Sequence, residues 1–157
     1  MKAGSILILL LVALLGACTE TVKVEPFTYP QVFTGTTSKA WSIRSIQLMQ
    51  DGKGTQTFGL DQCITDDLYI FYNNAERTYQ VKDGATKCSA SDPDLIVDSN
   101  WSFVNSNAAL TIIFPLLSDQ PLPFVLKEVD NTKMVIDIYF NEDKSNYRIN
   151  FKTASVE

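Results

Sequence analysis

The chain has 157 residues, 13 of them basic and 18 acidic, with a net charge of −5 at pH 7 and no histidine. An acidic balance with singly scattered basic residues argues against nucleic acid as a partner and against direct adhesion to anionic lipid headgroups. The lack of histidine removes the commonest general base and the commonest metal ligand, so a Ser-His-Asp or Cys-His mechanism within the chain is excluded.

The amino terminus and Lys2 precede an unbroken apolar run from Ile6 to Leu15, then the small residues Gly16 and Ala17. This is the layout of a secretory signal peptide over residues 1–17. As a helix the run rises about 15 Å, half of a hydrocarbon core of about 30 Å, which excludes a membrane span. Leu15-Gly16-Ala17-Cys18 resembles the lipobox of bacterial lipoproteins, where small residues admit the peptidase and the cysteine thiol takes the lipid. The resemblance implies cleavage before Cys18 and acylation of Cys18 by chains such as palmitate. Several acyl chains hold a protein firmly where one holds it only marginally, so Cys18 is expected to be a stable membrane anchor. Thr19 stands where retained lipoproteins carry Asp. By the same likeness this implies the outer membrane of a Gram-negative bacterium, with periplasmic and surface faces both open. Without Lys2 the balance is twelve basic to eighteen acidic residues, a net charge near −6.

Residues 18–38 read as a lipidated N-terminus and tether, Thr- and Pro-rich, with Val22 and Val24 alternating with polar neighbours. Residues 39–157 read as one domain. Trp41 to Met49 opens it, and the apolar phase slips between Ile43 and Ile46, which predicts a bulge near Arg44-Ser45. A turn at DGKG leads to GTQTFGL. Leu68–Tyr72 and Thr78–Val81 then form a hairpin around the four-residue loop NAER. A loop is expected from Gly84 to Ser99, then a strand with Trp101 and Phe103 on one face. Leu110, Ile112 and Phe114 share the next face. Pro115, Pro121 and Pro123 bracket a connection. Val125–Val129 turns through DNTK into a strand with Met134, Ile136, Ile138 and Phe140 on one side, and Tyr147, Ile149 and Phe151 close the pattern.

Period-two alternation in many short segments predicts an all-β fold, with no convincing helical period after Cys18. An up-and-down antiparallel meander of about eight strands, closed into a barrel, removes exposed edges; a β-sandwich is the alternative.

With Cys18 given to lipid, Cys63 and Cys88 remain, and an oxidising compartment predicts a disulfide between them. Pairing Asn73 with Thr78 sets Tyr72 opposite Tyr79, Ile70 opposite Val81, and Cys63 opposite Cys88 at the open end of the hairpin. In this register Ile70 and Tyr72 face inward, and Tyr69 and Phe71 form an exterior apolar patch. Asp66-Asp67 reads as a polar turn, because adjacent strand residues point to opposite faces. Asp92, Asp94 and Asp98 read as a solvated loop, since the spacing lacks the central glycine of a calcium loop.

The chain resembles bacterial lipocalin-like domain lipoproteins. The likeness rests on the lipobox Cys18, on Trp41 opening the first strand, on CITDDLYIF followed by TYQVKDGATKC, on NWSFVNSNAALTI and on the closing NYRINFKTA. The Gly-x-Trp of true lipocalins is absent, Gly35 lying too far before Trp41. The resemblance implies a lipocalin-like barrel able to hold a small hydrophobic ligand; no cofactor and no metal site is expected from the residues. Candidate lining residues are Trp41, Ile70, Tyr72, Trp101, Phe103, Ile136, Ile138 and Tyr147; the alternative is that they fill a plain core. The functional expectation is a non-catalytic, membrane-anchored binding module, or else a structural lipoprotein docking on an envelope protein partner.

Overall fold

A computed structural model of the chain describes residues 28–104, 109–140 and 145–154. Cys18, the expected signal peptide and residues 18–27 of the expected tether lie outside the described residues. Ten strands form one antiparallel sheet: β1 (Ser38–Gln50), β2 (Lys53–Thr57), β3 (Leu68–Tyr72), β4 (Thr78–Lys82), β5 (Leu95–Asn100), β6 (Ser102–Val104), β7 (Ala109–Ile113), β8 (Pro121–Val129), β9 (Lys133–Phe140) and β10 (Ser145–Ala154). Among the described residues two short helices accompany them, α1 (Thr28–Thr34) and α2 (Gln62–Thr65).

The sheet order runs β5-β4-β3-β1-β10-β9-β8-β7-β6, with β2 beside β1. Its two ends, β5 and β6, are halves of a single extended segment broken only at Trp101. The first half pairs with β4 and the second with β7. One bent strand therefore joins the two edges, and the meander closes almost completely into a barrel rather than splitting into a sandwich.

β1 carries the most pairings. From Ala40 to Gln50 it pairs with β10, while its other edge pairs first with β3 and then with β2. The register slips between Ile43 and Ser45, where the sequence pattern places a bulge. The slip lets Ile43 and Ile46 both reach the interior. The β9 alternation also holds, with Met134, Ile136 and Ile138 in the core.

Four sequence expectations are corrected. The β3–β4 register is Leu68↔Lys82, Tyr69↔Val81, Ile70↔Gln80 and Phe71↔Tyr79, one residue away from the expected one. The turn consumes Asn73 as well as NAER. Arg77 takes a left-handed φ of 54°, and Asn74 Oδ1 accepts the Thr78 N–H at 2.9 Å. An Asx-type bond to the backbone favours this longer turn. The one-residue slip inverts the faces of β3. Tyr69 and Phe71 are therefore core residues with 0% and 1% exposure, and the expected exterior patch does not exist.

Second, the expected loop from Gly84 to Ser99 contains most of β5. Third, Pro121 and Pro123 lie inside β8, paired with Ile113 and Thr111 of β7. They are tolerated there because β8 meets β9 only from Val125 onward, so the missing N–H groups break no second ladder.

Fourth, helices do occur, and the stretch expected as a tether enters the core. α1 places Phe33, fully buried, 4.5 Å from Phe71 and 5.0 Å from Trp101 between ring centroids. Pro30 falls in the first turn, where its missing N–H costs nothing. Gly35 ends the helix at φ 68°, its N–H donating to Gln31 O at 2.7 Å.

Candidate ligand cleft at the barrel mouth

The two ends of the barrel differ. At the α1 end, where Trp41 pairs with Thr153, the opening is sealed. Trp41 is fully buried and its Nε1–H donates to Phe33 O at 2.9 Å. Lys39 Nζ donates to Val32 O at 2.7 Å and lies 4.3 Å from the Trp41 ring, and burial lowers its pKa. Trp101 Nε1–H donates to Tyr72 O at 3.1 Å, with the Arg77 guanidinium 5.2 Å from its ring. Phe33, Trp101 and Phe103 pack with centroids 5.0–5.5 Å apart. Above this plug, Tyr69, Phe114 and Phe151 fill the axis, with Tyr69 5.5 Å from Phe114 and 5.3 Å from Phe151.

At the other end, where Ile46 pairs with Ile149 and Leu48 with Tyr147, the barrel opens into an apolar cleft of about 330 Å³. Its lining is Ile46, Phe58, Gly59, Leu60, Ile64, Phe114, Leu116, Leu117, Tyr147 and Ile149, with no charged side chain. Phe114 and Ile149, both fully buried, form the floor. The Phe58 N–H donates to Ile46 O at 3.0 Å, which folds the chain after β2 over the mouth and sets Phe58 edge-on to Tyr147 at 5.7 Å. α2 then presents Ile64. On the opposite lip, the N–H groups of Leu117 and Ser118 donate to Phe114 O at 2.9 and 3.0 Å. That tight turn leaves Leu116 and Leu117 40% and 39% exposed. Such a volume reaches the lower end of small-molecule pockets.

Of the eight expected lining residues, Tyr147 alone reaches this cleft. Trp41, Trp101 and Phe103 belong to the plug at the sealed end. Ile136 and Ile138 fill the core wall. Ile70 is buried but stands outside the main core cluster, because the register slip turns it outward. Tyr72 turns outward with it and donates to Gln80 Oε1 at 3.1 Å. The residues missed by sequence reading sit in connections: Phe58, Leu60, Ile64, Leu116 and Leu117 follow no strand period. The apolar pair Leu116-Leu117 between Pro115 and Ser118 is the one signal that points to them.

A disulfide joins Cys63 and Cys88, with Cα atoms 5.1 Å apart. Neither cysteine is in the ladder: Cys63 lies on α2 and Cys88 in the loop after β4. The bridge thus anchors α2, one wall of the cleft, to that loop. The neighbouring carboxylates reinforce the join. Asp67 Oδ1 accepts the Gly84 N–H at 3.1 Å and Asp66 Oδ2 accepts the Thr86 N–H at 3.0 Å. Gly84 packs so closely on the Asp66 carboxylate that a Cβ there would collide with it. Asp67 and Asp83 stand one step beyond the Leu68↔Lys82 pair, opposite each other. Burial raises the Asp67 pKa to about 6, with the Asp83 and Asp66 carboxylates adding to the rise against the Gly84 hydrogen bond. Asp83 lies 3.5 Å from Lys87, which also bonds Asp94 at 2.7 Å. That bond raises the Lys87 pKa and lowers that of Asp94.

The three aspartates of the possible calcium loop go separate ways. Asp92 Oδ2 accepts the Ser89 N–H at 2.6 Å, Asp94 pairs with Lys87, and Asp98 accepts from Gln80 Nε2 at 3.2 Å.

Comparison with protein-family models, with characterised proteins and with solved structures finds no match to this chain.

Proposed function

We propose that this chain is a membrane-anchored lipocalin-like lipoprotein that binds a small hydrophobic molecule in the cell envelope, and that it does so at the mouth of the barrel. The observation that carries this reading is the cleft: about 330 Å³, walled by apolar side chains, with no charge on its lining. Burying apolar ligand surface there gains about 25 cal/mol per Å² removed from water. Phe114 and Ile149 form the floor on which the occupant rests, and the Cys63–Cys88 bridge holds α2 as a fixed wall. The lipid on Cys18 supplies the address and takes no part in binding.

The test is native mass spectrometry and calorimetric titration of the purified protein with 2-ethylnaphthalene, an uncharged apolar probe. One molecule bound per chain, lost on Leu116→Asp/Leu117→Asp, supports the reading. No saturable uptake contradicts it.

The exposed Leu116-Leu117 pair also favours a second reading, a non-catalytic interaction lipoprotein that docks on an envelope protein through the same lip. Cross-linking in cells distinguishes the two. A stoichiometric protein adduct lost on Leu116→Ser/Leu117→Ser, without probe binding, favours docking.

A further inference from the structure

We infer that the ligand of the mouth cleft carries an uncharged hydrogen-bond-accepting group at its buried end, such as a ketone, ester or ether oxygen, and that Tyr69 and Tyr79 donate to it. The inference rests on the cleft being a ligand site and adds the chemistry of what it takes.

Tyr69 and Tyr79 are both 0% exposed. Among the described residues neither hydroxyl has a hydrogen-bond partner. A buried hydroxyl left unpaired is destabilising, and phenylalanine in either place would fill nearly the same space without that cost. The adjacent inward position on β3 is indeed Phe71, packed 4.8 Å from Tyr79. Two unpaired phenols therefore call for a partner that comes from outside the chain. The register places them together: Tyr69 pairs with Val81, so Tyr79 is its diagonal neighbour on the same inner face, with backbones about 7–8 Å apart.

The donors lie one layer beneath the cleft. Phe114 forms the cleft floor and stacks on Tyr69, centroids 5.5 Å apart and planes inclined by 27°. Phe114 is the first residue past β7 and is the one layer between the cleft and the donors, packed also on Phe124 and Phe151 with centroids 5.8 and 6.4 Å away. The inference therefore requires the Phe114 ring to turn aside as the polar end of the ligand enters, opening the cleft toward the two hydroxyls.

The chemistry of the acceptor follows from the surroundings. Burial raises both phenol pKa values well above their usual range, so both hydroxyls keep their protons and donate. Asp67, one residue before β3, lies close enough to Tyr69 to raise its pKa, with Asp66 and Asp83 beside it. A ligand carboxylate would meet those carboxylates and lose its hydration, whereas a neutral carbonyl or ether oxygen would not. The ligand class is thus an uncharged amphiphile that enters polar end first and leaves its hydrocarbon against Ile46, Leu60, Leu116 and Leu117.

Three probes of one shape test this: 2-ethylnaphthalene, 2-acetylnaphthalene and 2-naphthoate. The ketone is expected to bind at least tenfold tighter than the hydrocarbon, and the carboxylate more weakly than the ketone. Tyr69→Phe/Tyr79→Phe is expected to bring the ketone's affinity down to that of the hydrocarbon measured on the same variant. The carbonyl stretch of bound 2-acetylnaphthalene, read by infrared difference spectroscopy on the unmodified protein, is expected to move to lower wavenumber. Equal affinities for ketone and hydrocarbon, or an unshifted carbonyl, overturn the inference while the cleft reading stands on hydrocarbon binding. Failure of all three probes to bind overturns both.

Discussion

Trp41 and Phe33 are joined by a hydrogen bond from the indole Nε1 to the Phe33 carbonyl at 2.9 Å, and both side chains are fully buried. This contact fastens α1 across one end of the barrel and leaves the cleft at the other end open. Phe33→Ala is expected to remove about 3–5 kcal/mol of stability, the usual cost of deleting a buried phenylalanine. Urea denaturation reads it directly. A loss below 1 kcal/mol would mean that the helix is an ornament and the barrel closes without it.

The cysteine bridge closes a loop with a sequence separation of 25. In the chain-entropy model that is worth about 3.5 kcal/mol. Cys63→Ser/Cys88→Ser is expected to lower the unfolding free energy by about that amount. Because the bridge fixes α2, binding of 2-ethylnaphthalene at Ile64 should weaken too. A variant with unchanged affinity would place the binding surface elsewhere.

Asp67 gives a pH signature of definite sign. Its folded pKa, about 6, lies above the unfolded value of 3.8. The folded state therefore binds the proton more tightly, and stability rises as pH falls from 7.5 through 6 toward 4. Discounted for solvent screening, the raised pKa corresponds to about 1–2 kcal/mol over that window, at about 1.4 kcal/mol per unit. Asp94 and Asp130 shift the other way, held ionised by Lys87 and by the Thr132 and Lys133 N–H groups, so their contributions are lost at lower pH still. Denaturation midpoints across pH should therefore rise toward weak acid before they fall. Asp67→Asn should flatten the rise and stabilise the protein at pH 7.5. A midpoint that drops steadily from pH 7.5 contradicts the assignment.

On the outer wall, Arg148 makes two hydrogen bonds to Asp137, at 2.8 and 2.9 Å, across the β9–β10 ladder. The Asp137 side chain is 1% exposed. Arg148→Ala strands a buried carboxylate and is expected to cost about 3–5 kcal/mol. Replacing both residues with apolar ones of similar size should cost much less. Equal losses in the single and double variants would show that the pair's charge is irrelevant.

Strand alternation was legible where one face is wet. β9 and β10 read correctly, and the β1 bulge was visible as a phase slip. The hairpin register was not legible, because Leu68-Tyr69-Ile70-Phe71-Tyr72 is apolar on both faces and gives no phase. There the turn decides, and Asn74 with Arg77 made it one residue longer. The bridged pair Cys63 and Cys88 was found from compartment and count, while the cross-strand geometry offered for it was not what forms. The cleft was hidden for a different reason. Its walls are the connections after β2 and β7, whose apolar residues follow no period and declare themselves only when the barrel brings Phe58 over Ile46 and Leu117 over Phe114.

Where an apolar molecule enters the barrel is the decisive question for the proposed binding site. Methyl-resolved NMR of the protein titrated with 2-ethylnaphthalene answers this residue by residue. Saturable shifts confined to Ile46, Leu60, Ile64, Leu116, Leu117 and Ile149 are the predicted result. Shifts centred on the α1 end around Ile70 and Leu110, or none that saturate, would contradict it.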